Sequence, residues 1–463
     1  MIPILFAAFM ALAVTVAITD WRRGMLMLVL TGVLQDPARK LTAGTPFIMT
    51  MSVVVIYIAI LFATQARLQS ALADFTHRFA AVWAAFGLTL FFIVLAALNG
   101  LMTNGVSLWK VPVASLFIYL APLPAVLIGY LYVDREETLF RFLTFYSVIT
   151  SFALIGTLLE YLRVGSRALG MVAQTGDYIR YLPGMEVRML SGFYRGPDIM
   201  AWHAATLTCI AIAMLIRGGI SRAAGWWMLI ASWGCFNTIL SGRRKAIYFV
   251  AIFAAVFVWR YFRHLKIQQV VAFIAAGVAI VFVVHQISSN ENSSVYTRAA
   301  LATQEELTSR LEGGLMGTIE QSGYLGQGLG VATQGTYHFA TPLETSQGTF
   351  GWQEGGLGKL AVELGVPGLL AAALLLWRML FIMNRISVQP DLPGTSQLAR
   401  VMLFALIIAN IGNFLASAQA YSDPVLTLLT AFLAGALFGT ARLDEAAEPA
   451  SVPVSPQRSL AVV

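Results

Sequence analysis

Hydrophobic runs of about 20 residues recur from one end of the chain to the other, and nothing else in it constrains the fold as much. Each is long enough to cross the hydrocarbon core of a bilayer as a helix, where every backbone N–H and C=O must find its partner inside the segment. Twelve runs lie near 1–18, 46–64, 80–98, 111–132, 139–162, 199–217, 225–241, 246–262, 267–286, 357–381, 399–420 and 425–440. A thirteenth, 25–34, is only about half the length of a full crossing and is bounded by Arg23 and Asp36, so it reads as re-entrant or thinly spanning. Charged residues make up 11% of the 463 positions and apolar ones 58%. A soluble protein carries about 25% charged residues. A water-soluble domain is therefore excluded, and the expected fold is all-α, a polytopic transmembrane helical bundle.

Loop cations give the orientation. One set comprises Arg22, Arg23, Arg67, Arg78, Arg135, Arg141, Arg217, Arg222, Arg260, Arg263, Lys266, Arg378, Arg385, Arg400, Arg442 and Arg458, more than half of the 30 Lys and Arg. Half of the remainder lie in two long loops, 163–198 and 287–356, where the positive-inside rule loses force. The first set is therefore placed in the cytoplasm, and both long loops face outward. If the short run spans, the N-terminus is outside; if it is re-entrant, the N-terminus is inside. The first run has no basic residue before it, which argues against a cleaved signal. Residues 1–440 form the transmembrane domain, and 441–463, rich in Pro, Ala, Ser and Glu, read as a disordered cytoplasmic tail.

Several chemistries are disfavoured at once. Cys209 and Cys235 both sit inside apolar runs, so neither a disulfide framework nor a cysteine metal site is implied. The five histidines, His77, His203, His264, His285 and His338, never fall four residues apart, the spacing that suits two metal ligands on one helix. There is no GxxxxGK[ST] loop for ATP and no Asp-x-Asp pair for a metal-bound nucleotide sugar. The expectation is no metal and no cofactor. The net charge of +7 is that of loop cations in a membrane protein, so a nucleic-acid partner is not expected.

Three features gather on the expected outer side. Residues 191–198, SGFYRGPD, close the first long loop just before a span and carry Arg195. Residues 241–245, SGRRK, make a very short turn between two spans and place Arg243, Arg244 and Lys245 side by side, against the positive-inside bias. Charge at membrane depth costs about 2.5–3.5 kcal/mol on insertion scales. One reading is that these cations snorkel to lipid phosphates. The other is an anion site, because guanidinium groups grip phosphate oxygens in pairs and keep their charge when partly desolvated.

The third feature is the second long loop with the span after it. Residues 323–330, GYLGQGLG, form a turn whose backbone can approach something closely; with no βαβ unit around it, it is not a dinucleotide fingerprint. His338, Glu354 in GWQEGGLG and Glu363 in KLAVELGVPGLL follow. Glu354 and Glu363 are nine residues apart and would fall on opposite sides of a straight helix, so they are not a carboxylate pair. Glu363 with Gly365 and Pro367 reads as a cap and bend at the start of the span, and His203 as a hydrogen-bonded packing residue inside another. Glu354, at the mouth, is the better chemical candidate.

Together, an arginine before a mid-chain span, an SGRR-like turn two spans later, a long loop with GxGLG and a following ELGVPGLL helix resemble the O-antigen polymerase and O-antigen ligase superfamily of bacterial envelopes. The resemblance covers roughly 140–380. It implies a metal-independent membrane glycosyltransferase of the inner membrane whose site faces the periplasm or exterior. The donor would be a glycan on undecaprenyl pyrophosphate. A flippase and a chain-length regulator are the implied partners, beside membrane lipids. Arg195, Arg243 and Arg244 would stabilise the departing pyrophosphate, with Glu354 as general base. Lys245, Arg188, His338 and Glu363 would serve on the substrate side, His338 also as the substitute base. Ligases carry His-Asn where this chain has Glu354 and Gly355, so a polymerase is favoured over a ligase. The reading from another class is a transporter, which would need charge in the middle of its spans and paired broken helices. No inverted repeat is visible here, and the polar residues gather at the outer mouth.

Overall fold

The computed structural model describes residues 1–104, 109–170, 179–182, 185–218, 221–262, 267–289, 294–296, 315–332, 355–389 and 396–447. Its helices are α1 (Ile2–Thr19), α2 (Trp21–Lys40), α3 (Ser52–Arg78), α4 (Ala80–Asn104), α5 (Lys110–Leu120), α6 (Pro122–Tyr132), α7 (Glu136–Ala153) and α8 (Ile155–Tyr161). They continue with α9 (Pro197–Gly218), α10 (Arg222–Leu240), α11 (Arg244–Tyr261), α12 (Ile267–Ser289), α13 (Gly356–Ser387), α14 (Gln397–Ala416) and α15 (Pro424–Ala447). Among the described residues nine helical segments are long and apolar enough to cross a membrane, with α5–α6 and α7–α8 each counted as one. The chain is a helical, multi-pass membrane protein.

One small departure from an all-helical chain is an antiparallel hairpin in the first long loop. Its strands β1 (Ile179–Leu182) and β2 (Met185–Arg188) pair Ile179 with Arg188. Val187 from β2 is fully buried with Leu190, Ile239, Leu240 and Tyr296, so this loop folds down onto the end of α10.

Three helices make the centre. The membrane-length window of α9 is wholly buried, and those of α14 and α15 are mostly so. Small residues let some helices touch backbone to backbone, as membrane helices without a hydrophobic drive between them tend to do. At the α6–α15 seam a methyl group added to Gly129 would strike the Phe432 carbonyl, and one added to Gly435 the Val126 carbonyl. By contrast α1 is largely exposed along an apolar surface that includes Ile4, Leu5, Leu12 and Ile18, as expected of a helix facing lipid.

Two helices run beyond the apolar segments read in the sequence. The 25–34 run is the middle of α2, a 20-residue helix about 30 Å long at 1.5 Å per residue. Asp20 caps it by accepting from the backbone N–H of Arg22 (3.0 Å) and Arg23 (3.3 Å). Near that end Arg22 pairs with Asp134 at 2.8 Å. At the other end Lys40 donates to the carbonyls of Gly192 and Tyr194. So α2 carries a polar cluster at each of its ends. The second is α15, which runs on to Ala447, and Arg442 lies over the Tyr130 ring at 5.1 Å. Helix therefore continues past the boundary expected at 441; residues 448–463 lie outside the described residues.

A bend marks α13. Gly365 has φ +68° and ψ 178° inside it. In a regular helix the Val366 N–H would donate to the Val362 carbonyl. Here Val366 donates to Tyr324 O (2.8 Å), and Val362 O accepts from Gln327 N (2.7 Å). The glycine turn at 323–330 thus exchanges hydrogen bonds with the break in the helix, and Pro367 has no N–H to reclaim one.

Candidate functional site

The 191–195 backbone is held by charged side chains from helices far away in sequence. Glu160 Oε2, near the end of α8, accepts from the N–H of Ser191 (2.9 Å) and Gly192 (2.6 Å). Lys40 Nζ donates to the carbonyls of Gly192 (2.9 Å) and Tyr194 (2.6 Å). Asp36 Oδ2 accepts from the Arg195 N–H (2.9 Å). The chain then enters α9 at Pro197, whose missing N–H would have lacked a helical partner there anyway.

Arg195 therefore leaves a fixed backbone. Its Nη2 is 2.5 Å from Asp423 Oδ2 and its Nη1 3.9 Å from Asp36 Oδ1. Both carboxylates are 2% exposed, whereas the arginine side chain is 19% exposed. Asp423 does two jobs, since its Oδ1 also caps α15 by accepting from the N–H of Val425 (2.7 Å) and Leu426 (3.2 Å).

Three residues after Arg195, Asp198 in the first turn of α9 gathers a second pair of cations. Its Oδ2 is 2.6 Å from Arg243 Nη2 and its Oδ1 2.5 Å from Lys245 Nζ. The turn that presents them is tight: Ser241 Oγ accepts from Arg243 N at 3.1 Å, and Gly242 adopts φ +68°. Lys245 Nζ also donates to Ser417 Oγ at 2.7 Å. Ser417 closes α14, and the 3-10 turn Gln419–Ser422 leads from it to Asp423. The two clusters are therefore joined twice, through 195–198 and through 417–423, and form one layer at one end of the bundle. Cations at the start of α11 oppose its dipole, and Asp198 offsets that cost.

Under this layer Tyr194 stacks on His203 with ring centroids 4.8 Å apart, and Tyr146 Oη is 2.9 Å from His203 Nδ1. This agrees with a packing role for His203. Burial pushes the Tyr194 hydroxyl well above its ordinary pKa, so it stays a neutral phenol.

Of the residues singled out in the sequence, Arg195, Arg243 and Lys245 come together here, and Arg244 follows Arg243 as the first residue of α11, half-buried. Instead of standing as bare cations at a turn, Arg195, Arg243 and Lys245 each form an ion pair with a carboxylate. Arg188 ends β2 with Nη2 4.0 Å from Glu160 Oε1, at the rim of the same layer. Glu363 belongs elsewhere. It is fully buried and accepts from Tyr119 Oη (2.5 Å) and from Ala332 N (3.1 Å), fastening α5 and the glycine turn to α13. There it holds a loop through the Tyr119 hydroxyl and the Ala332 N–H. His338 and Glu354 lie outside the described residues.

Sequence reasoning missed Asp36, Asp423, Lys40, Glu160 and Ser417. One signal could have found the acids: a carboxylate bordering an apolar run must be neutralised by something, so a lone Asp at such a border implies a cation nearby. Among the described residues no group of three or more His, Cys, Asp or Glu is arranged to hold a metal ion. The layer can attract an anion. Lys40, Arg188, Arg195, Arg243, Arg244 and Lys245 outnumber Asp36, Glu160, Asp198 and Asp423, and Arg188 and Arg195 are more open than the carboxylates they face, while Asp198 is about as open as Arg243 and Lys245. No protein-family model and no curated protein matches this chain.

Proposed function

We propose that this protein is a membrane glycosyltransferase that polymerises oligosaccharide repeats carried on undecaprenyl pyrophosphate, at the outer face of a bacterial inner membrane. The observation that carries the reading is the meeting of Arg195, Arg243 and Lys245 in one cationic layer at the end of a transmembrane bundle. A lipid pyrophosphate enters such a layer from the side, with its prenyl chain in the bilayer.

In the proposed reaction the acceptor hydroxyl oxygen attacks the anomeric carbon of the donor. The bond from that carbon to the pyrophosphate oxygen breaks, and the pyrophosphate leaves with the electron pair. Fixed guanidinium groups stabilise the charge that develops on it, more effectively than water because they need not reorient. The hydroxyl proton passes to Glu354 as general base, or to His338 in its place. Arg243 and Lys245, already oriented by Asp198, and Arg195, oriented by Asp423, serve the leaving group; Arg244 and Arg188 add positive potential around it.

The test is genetic and chemical. A deletion strain of a host that makes the polysaccharide should accumulate single repeats on the lipid carrier, and plasmid-borne Arg195→Ala or Arg243→Ala should fail to restore long chains at normal protein level. Removing one buried cation that stabilises the transition state is expected to lower the rate by about a hundredfold. Glu354→Gln should be similarly defective. Full-length chains stranded on the carrier would mark a ligase instead. Repeats trapped on the cytoplasmic side would mark a transporter.

A further inference from the structure

Asp423 is placed as no ordinary helix cap is. One oxygen satisfies the first free N–H groups of α15, while the other holds the Arg195 guanidinium at 2.5 Å. Asp36 meets the same arginine from α2, taking its backbone N–H with one oxygen and facing Nη1 with the other. Burying two carboxylates beside one guanidinium is a poor way to gain stability, because the desolvation of each charge consumes most of the attraction. It is an effective way to fix a direction. Arg195 begins from a backbone locked by Glu160, Lys40 and Asp36, and its guanidinium is then drawn towards Asp423, leaving 19% of the side chain open.

We propose that Asp423 and Asp36 are positioning residues, which aim the Arg195 guanidinium at a diphosphate group bound at this end of the bundle. The inference rests on the reading of the site as a lipid pyrophosphate site. Within it, a guanidinium held in advance loses little side-chain freedom when the anion arrives, so affinity rises with no added hydrogen bond. The long span between Asp36, Arg195 and Asp423 in sequence gives α2 and α15, helices that carry none of the motif residues, a direct part in binding.

The substitution Asp423→Asn separates the two jobs of that side chain. An amide oxygen can still cap α15, while the NH2 group turned to Arg195 is a donor facing a donor. The experiment uses the full chain purified in detergent, with undecaprenyl pyrophosphate as the probe and its dissociation constant as the readout. Arg195→Ala and Asp423→Asn should each weaken binding about tenfold, the usual scale for a charge-assisted hydrogen bond. The double variant should be no weaker than Arg195→Ala alone, since Asp423 acts only through the arginine. Asp423→Glu should recover part of the loss. If the two effects instead multiply, or Asp423→Asn binds as wild type does, the positioning role is overturned. If wild-type protein fails to bind the probe at all, the reading of the site itself fails, which is a different result. Should Asp423→Asn not fold, the same cycle is run with Asp36→Asn, whose side chain keeps an acceptor for the Arg195 N–H; coupling there supports the inference and independence overturns it.

Discussion

Asp198 divides a single carboxylate between Arg243 and Lys245, and its loss leaves two cations, with side chains only 15% and 12% exposed, without the acid they share. Breaking a buried pair by removing one member costs about 3–5 kcal/mol, because the remaining charge stays desolvated. Ser417 offers Lys245 a neutral acceptor, and a hydrogen bond to a charged group is worth about 1.5–3 kcal/mol. Asp198→Asn should therefore lower the thermal midpoint of the detergent-solubilised protein more than Ser417→Ala does; the reverse order would mean that the lysine and not the acid organises the turn. The cations of this layer were legible in the sequence because three of them crowd into SGRRK, against the usual side for positive charge. Their partners were not. Asp36, Glu160 and Asp423 stand alone in sequence at the borders of separate helices, and no periodicity relates residues that only the folded bundle brings together.

At the scale of elements, each apolar run read in the sequence falls largely on helix, since a helix that must satisfy its own backbone in lipid needs no partner to define it. The errors fell where polar residues belong to the helix. Arg22, Arg23, Gln35, Asp36, Arg39 and Lys40 all lie within α2, and α3 continues through Asp74 to Arg78, where Tyr130 also meets Asp74. The bend in α13 was legible from Gly365 and Pro367, but the thing that the glycine turn approaches was not. It is the chain itself: an added methyl at Gly326 would lie 2.6 Å from Val362 O, and one at Gly365 would lie 2.6 Å from Tyr324 O. Gly365→Ala must therefore both adopt an unfavourable left-handed φ, at about 1–3 kcal/mol, and push the turn away. The amides of 323–330 should exchange with deuterium much faster in that variant, with Gln327 the most affected. Pro367→Ala, which leaves the exchanged hydrogen bonds in place, should change them little. Unchanged exchange in Gly365→Ala would mean that the turn is not held by the break.

At the scale of the whole molecule, charge divides between two ends. One holds Lys40, Glu160, Arg195, Asp198, Arg243, Lys245 and Asp423. The other holds Arg22 with Asp134, Arg78 with Asp74, Arg217 with Glu136, and Arg442 donating to the Val133 carbonyl. Each cation at the second end belongs to the set that the positive-inside rule assigns to the cytoplasm. At Asp134 burial alone would raise the carboxyl pKa, but the Thr138 hydroxyl and Arg22 hold it below its usual range. That pair adds stability above the ordinary carboxylate pKa and loses it as pH falls through the lowered value. The division makes a topological prediction. Leu162 follows α8 beside Glu160 and is 60% exposed, while the Arg23 side chain is 77% exposed near the opposite end. Cysteines placed at these positions should react oppositely in intact spheroplasts with a membrane-impermeant maleimide: Leu162→Cys directly, Arg23→Cys only after permeabilisation. The native Cys209 and Cys235 are buried and give a silent background. Labelling of both from one side would mean that α7–α8 does not cross. The inverted pattern would place the arginine layer in the cytoplasm, where the positive-inside rule would no longer make SGRRK unusual and an outer-face transfer reaction would have no site.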